Sequence, residues 1–282
     1  MDKNLKVEMS WWEMNSLAGT EGEAESAGER CRLIAEHGFD GINGFLPAEE
    51  NAAEWRRLLA HYGLSFSVNA YPASLADMDE FLKKAKSYEG TIDYINAQVM
   101  QPFLVGDEAV RLLAGIDRLS REAGIPVFVE THRGTITQDL IRTVEYAQAL
   151  PSLRLTIDYS HYVVAGELHT VTPQAEEWLG KLLPHTASIH ARVSNGEQVQ
   201  IDPGFGEDSH PMLAHFARWW SAGMLSWRER SGHGTDALPF VVELGPPPYA
   251  ITAGDGREIS DRWRQSLELQ RLARRLWAEL GA

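Results

Sequence analysis

The sequence predicts a closed (β/α)8 barrel, the TIM-barrel class, with a single domain over residues 1–282. Two patterns carry that prediction: eight short, mostly apolar runs of strand length, and an amphipathic helical stretch in the gaps between them. Glycines stop several of these helices just before the next run begins, as helix C-termini require. Right-handed crossovers with short loops leave few other ways to cover eight parallel strands. The competing arrangement is an open doubly wound sheet, but Gly204-Phe205-Gly206 lacks the third glycine of a dinucleotide loop and follows a loop rather than a strand.

In chain order, Leu5 to Met9 reads as the first strand, with the polar and aromatic run Ser10 to Asn15 behind it. A helix follows from about Glu21 to His37, with Ala24, Ala27, Cys31 and Ile34 on its apolar face and Gly38 at its end. Strand Phe39 to Asn43 leads to a helix facing inward with Trp55, Leu58, Leu59 and Tyr62 and stopped at Gly63. Strand Ser65 to Asn69 precedes a helix carrying Leu75, Met78, Leu82 and Ala85. Strand Ile92 to Ala97 precedes one carrying Val110, Leu113, Ile116 and Leu119, closed by Gly124. The fifth strand begins at Ile125, and its helix uses Leu140, Ile141, Val144 and Ala147. The sixth runs from Leu153 to Asp158 and is followed by Trp178, Leu179 and Leu182. The seventh spans Thr186 to His190 and the eighth Pro239 to Glu243, with a last helix packed through Trp263, Leu267, Ala273 and Leu276.

The connection between strands 7 and 8 is out of scale. It contains the Gly/Pro/Asp-rich run Ile201 to Pro211 and then a helix with Leu213, Phe216, Trp220 and Met224, and reads as a long surface loop plus the ordinary barrel helix rather than a lid. Trp219 and Trp220 are adjacent, so they cannot both face one side of that helix, which points to a buried contact such as a homo-oligomer interface.

Composition narrows the partners. Lys plus Arg number 26 against 40 Asp plus Glu, a formal charge of −14, so a nucleic-acid surface is not expected. A single cysteine, Cys31, excludes an intramolecular disulfide framework and fits a reducing compartment. With no signal-like start and no apolar stretch of membrane length, the expectation is a cytoplasmic protein without a membrane span.

Four strands share an ending: Val129-Glu130, Ile157-Asp158, Ile189-His190 and Val242-Glu243. In a (β/α)8 barrel the C-terminal strand ends surround one cavity, so these four groups can meet there. Singly, each is as well explained as a helix cap or a solvated loop residue. Jointly, three carboxylates and one imidazole form a hard, oxygen-rich ligand set for one divalent metal ion, best matched by Mn2+ or Mg2+ and compatible with Co2+ or Zn2+. A metal is also the simplest reason to bury that much negative charge. His132, His161 and Arg192 lie two, three and two residues past Glu130, Asp158 and His190, close enough to face the same cavity. Trp11 and Trp12, just past the first strand, suit a sugar-pocket wall as well as a core cap. His37 and His61 sit at helix ends and need no further role.

The motifs Val129-Glu130-Thr131-His132, Ile157-Asp158-Tyr159-Ser160-His161, Ile189-His190-Ala191-Arg192 and Val242-Glu243 resemble the xylose-isomerase-like TIM-barrel superfamily, and within it the sugar phosphate isomerase/epimerase branch. The resemblance implies that Glu130, Asp158, His190 and Glu243 hold the metal and that His161 and Arg192 hold substrate oxygens. It further implies that Glu130 and Glu243 are the acid/base pair of an isomerase or epimerase acting on a small carbohydrate. His132, the long loop after His190 and the proline-rich segment Leu244 to Tyr249 depart from the epimerase pattern and leave open elimination from a keto-sugar, keto-inositol or 3-keto-glycoside. A non-catalytic sugar-binding barrel and an endonuclease IV-like phosphodiesterase are the remaining alternatives, and the acidic charge disfavours the latter.

Overall fold

The computed structural model describes residues 5–15, 17, 26–88, 90–230, 235 and 237–281. Eight parallel strands close into a barrel in sequence order, with β8 pairing back onto β1. They are β1 Leu5–Ser10, β2 Gly41–Phe45, β3 Ser65–Ala70, β4 Ile95–Ala97, β5 Val127–Glu130, β6 Leu155–Ile157, β7 Thr186–Ala191 and β8 Leu238–Val242. Around them lie α1 Ala27–Glu36, α2 Ala52–Tyr62, α3 Leu75–Lys86, α4 Gly106–Ala123 and α5 Leu140–Ala149, then α6 Ser160–Ala165, α7 Pro173–Gly180, α8 Pro211–Glu229 and α9 Arg262–Glu279.

Local chemistry sets the boundaries. The first helix starts at Ala27 rather than near Glu21, because Ser26 and Glu29 form a reciprocal capping box; residues 21–25 of the expected helix, with Ala24, lie outside the described residues. Gly63 and Gly124 take left-handed backbone (φ 65° and 72°) at the ends of α2 and α4, where a side chain would be strained. Among the described residues no helix is long and apolar enough to cross a membrane.

The strands alternate between two environments. Val7, Met9, Ile42, Val68, Ile95, Leu155, Ile189 and Phe240 are buried in the large apolar core. Inside the barrel a stacked pair, Tyr94 and Phe128, forms a small apolar cluster with Ala187. Much of the remaining interior is polar: Glu8, Asn43, Ser67, Asn96 and Glu130 are all fully buried. Such groups are tolerated only when hydrogen-bonded to one another.

Three features differ from the sequence expectation or extend it. Trp219 and Trp220 are both buried within this chain: Trp219 donates to Glu176 on α7 and packs on Tyr159, while Trp220 packs on Phe240. The pair therefore gives no sign of an oligomer, since α8 is covered on two sides by its own fold. The segment after β7 is a surface loop only in part: Gly206 to Asp208 are exposed, but Val193, Ser194, Val199, Gln200 and Ile201 are buried, and Gln200 exchanges two hydrogen bonds with the Gly245 backbone (2.7 and 2.9 Å). Finally, buried Glu13 ties the two ends of the barrel sequence together. It accepts from Leu244 N (2.9 Å) and from Ser266, while Arg262 donates to the carbonyls of Glu13, Asn15 and Leu244.

Candidate metal centre

The C-terminal ends of β5 to β8 bring the four strand-end residues to one side of the barrel mouth. Glu130 closes β5, Asp158 follows β6, His190 sits one residue before the end of β7 and Glu243 follows β8. Glu130 and Asp158 are fully buried, and His190 and Glu243 are 1% and 6% exposed. Ligand atoms of Glu130, His190 and Glu243 lie within 4.8 Å of one another. Asp158 joins them through Arg192, whose guanidinium reaches Asp158 Oδ2 at 3.3 Å and also donates to Glu243. Glu130 is likewise within 4.8 Å of His132 and His161.

Each carboxylate is held on one oxygen. Glu130 Oε2 accepts from Asn96 (2.6 Å) and Gln98 (2.9 Å), while Oε1 has no hydrogen-bond partner. Asp158 Oδ1 is capped by the backbone and hydroxyl of Ser160, leaving Oδ2 without a hydrogen bond. His190 Nδ1 is 3.1 Å from Glu243 Oε2, and its Nε2 is unpartnered. Buried polar atoms left without partners are costly; Glu130 Oε1 is one of them and lies 3.8 Å from His190 Nδ1, so Glu130, His190 and Glu243 together offer a donor set of carboxylate oxygens and imidazole. That set fits a hard or borderline divalent cation.

The electrostatics agree. Burial disfavours ionised Glu243, but His190 and Arg192 outweigh it and hold the carboxyl at about 2. Burial also disfavours charged His190, yet Glu243 and Glu130 lift it to about 9. Asp158 is raised by burial, with Arg192 opposing and Glu243 and Glu130 adding to the rise. His161 is driven well below its usual value by burial, with His132 and the Arg192 guanidinium adding to the fall, so it is a neutral imidazole with no hydrogen bond at either nitrogen.

Above these groups lies a cavity of about 210 Å3 lined by residues including Trp12, Tyr71, His132, Arg192, Glu243 and Tyr249. His132 packs its ring against His161 at a tilt of 47° (3.8 Å between centroids). Tyr249 lies beneath the guanidinium groups of Arg192 and Arg133 and meets Trp12 edge-on. Trp12 is seated by Gly245, where any Cβ would strike its indole. Trp11, the expected pocket wall, is turned away: it packs on Trp55 and beneath Arg30, and its neighbour Trp12 lines the cavity instead. Asn96, Gln98, Tyr71 and Tyr249 were not singled out by sequence.

No protein-family model matches the sequence, and no curated protein does. Solved structures do. A xylose isomerase-like TIM barrel protein from Mycobacterium smegmatis in complex with magnesium is similar at 16% identity, with a TM-score of 0.60 over 98% of each chain. D-psicose 3-epimerase with D-tagatose from Clostridium cellulolyticum H10 is similar at 11% identity, with a TM-score of 0.61 over 97% of this chain and 99% of that one. The probable 3-DHS dehydratase AsbF from Bacillus anthracis is similar at 14% identity, with a TM-score of 0.57 over 94% and 99%. The chain therefore has the fold of the xylose isomerase-like TIM barrels.

Proposed function

We propose that the protein is a divalent-metal-dependent isomerase or epimerase acting on a sugar or keto-sugar by proton transfer through an enediolate. The observation that carries this reading is the convergence of Glu130, His190 and Glu243 at the base of the mouth cavity, each buried and with Glu130 Oε1 unpartnered. Glu130, Asp158, His190 and Glu243 would hold the cation, with Mn2+ the best match to three carboxylates and one imidazole. When bound, such an ion supplies the positive charge that acidifies a C–H beside a carbonyl.

The chain's own groups do the rest. Glu130 and Glu243 sit on different strands and so can address a substrate from two directions, one removing the proton and the other returning it. His190 and Arg192 keep Glu243 ionised and able to accept. His132, His161 and Arg192 stand beside the ligands, where they can hold substrate oxygens, and the aromatic walls formed by Trp12, Tyr71 and Tyr249 suit the apolar faces of a sugar. The likeness to D-psicose 3-epimerase supports epimerisation. The likeness to AsbF, with His132 as an extra proton carrier at the cavity wall, supports elimination as the second reading.

The test is a screen of keto-sugars, keto-inositols and 3-keto-glycosides with added Mn2+ in deuterated water, read by loss of C–H signals. Glu130→Gln or Glu243→Gln is expected to lower exchange by roughly 10²–10⁴-fold with the fold intact. Wild-type exchange by either variant removes the acid/base assignment.

A further inference from the structure

A chain of side chains crosses the barrel interior from β1 to β5. Ser67 donates to Glu8 Oε2 (2.8 Å), Asn43 donates to Ser67 (3.0 Å), Asn69 donates to Asn43 (3.0 Å), and Asn96 donates to Asn69 (3.0 Å). The second N–H of Asn96 goes to Glu130. Tyr94 joins at the far end, donating to Glu8 Oε2 at 3.1 Å. All six chain residues are buried, Asn69 being the most exposed at 7%.

Two properties make this more than a satisfied polar core. An apolar interior is the usual filling of such a barrel and avoids the desolvation that three amides and two carboxyls bring. The chain is also directional. Both ends are carboxyl groups that accept, so one member between them must donate both ways. Asn96 does this and leaves its own Oδ1 without a partner. Turning that amide over would set its carbonyl against Glu130 and against the Asn69 carbonyl. Each amide is fixed in the same way by the one before it, back to Ser67 and Glu8. On the opposite wall Thr156 Oγ1 is unpartnered, and Ser188 donates to the Pro239 carbonyl at 3.3 Å and touches the chain only through Tyr94.

We infer that Glu8, Ser67, Asn43, Asn69 and Asn96 are positioning residues that lock the Glu130 carboxylate, committing Oε2 to amide donors and presenting Oε1 to His190 and Glu243. Asn96 acts directly and the others act through it. The inference rests on the metal reading of the site. Its consequence is that Glu8, Ser67 and Asn43, which do not line the mouth cavity, control cation affinity without touching the cation.

The probe is Mn2+ alone, its dissociation constant measured by electron paramagnetic resonance of the free ion on the full chain, with a thermal melt of each variant alongside. Asn96→Leu is expected to weaken binding 10- to 100-fold, the usual effect of losing a group that orients a metal ligand. Asn43→Leu and Ser67→Ala are expected to weaken it by roughly 3- to 10-fold through the chain. Thr156→Val, the loss of an unpartnered hydroxyl on the opposite wall, is expected to leave it unchanged. A purely structural chain would lower melting temperature and leave affinity alone. Wild-type affinity in folded Asn43→Leu and Ser67→Ala overturns the inference; if Asn43→Leu does not fold, Ser67→Ala decides. A wild-type protein that takes up no Mn2+ overturns the metal reading, and this inference with it, whereas Mn2+ binding that the chain variants do not alter overturns this inference alone.

Discussion

Glu8 on β1 and Glu243, just past neighbouring β8, are both buried, yet they are held in opposite states. Glu8 sits near the floor, beside a cavity of about 180 Å3 lined by Lys6, Asp93 and Tyr94 among others. Burial pushes it up to about 7; hydrogen bonds from Ser67 and Tyr94 pull against burial, and Lys6 is already engaged by Asp93 at 2.7 Å. Glu243 at the mouth has His190 and Arg192 in direct contact and falls to about 2. Burial depth does not separate the two; the charge of the neighbours does. A buried acid among hydroxyls holds its proton up to about 7, whereas the same acid beside two cations stays ionised down to about 2.

Three substitutions probe that contrast, taken from the largest expected effect to the smallest. Arg192→Met removes the cation shared by Asp158 and Glu243 and makes the mouth resemble the floor. A loss of about 3–5 kcal/mol is expected, because breaking a buried pair strands the remaining charge. Denaturant titration measures it, and added Mn2+ should recover part of the loss by replacing the missing positive charge.

The second probe concerns pH. The Glu8 carboxyl has an ordinary value of 4.5 and a folded value of about 7. Below 4.5 both folded and unfolded chains carry the proton and Glu8 contributes no pH dependence. Between 4.5 and 7 the folded chain keeps a proton that the unfolded chain loses, so stability falls as pH rises and then levels off, by about 3 kcal/mol in full. Glu8→Gln should flatten that part of the curve, measured by denaturant unfolding at pH 5 and pH 8. The slope that remains belongs in part to Glu13, which burial raises to about 8. An unchanged slope in Glu8→Gln would mean that Glu8 does not retain its proton in the fold.

The smallest effect is expected at the floor ion pair. Lys6 and Asp93 have side chains 39% and 34% exposed, so water screens them, and Lys6→Met should cost less than about 1 kcal/mol by the same titration. A cost matching that of Arg192→Met would show that exposure does not distinguish the two pairs.

Much of this was legible in the sequence because a buried strand announces its own end. The apolar runs before Glu130, Asp158, His190 and Glu243 placed those residues at the mouth to within a residue of the observed strand limits. The chain beneath Glu130 was not read, although its signal was present. Asn43 and Asn69 end their runs in the same way as the ligands do, but an amide suggests no metal, and Asn96 lies inside the strand expected over Ile92 to Ala97 rather than at its end. Trp11 and Trp12 could not be told apart because they share a tight turn, residues 11–15, whose geometry, not any periodicity, decides which ring faces the cavity. The adjacent tryptophans of α8 misled for a related reason: a helix covered on two sides by its own chain buries both.

The clasp formed by Glu13, Leu244, Arg262 and Ser266 bears on the order of synthesis. While the chain is being made, β1 emerges first and can pair with β2, but its other edge waits for β8, and the carboxyl of Glu13 waits for partners more than 200 residues downstream. A nascent chain that has reached β7 thus carries an open sheet with an acid still facing water. The barrel shuts only when β8 and α9 are delivered, so β1 and Glu13 are secured after the strands that follow them in the chain.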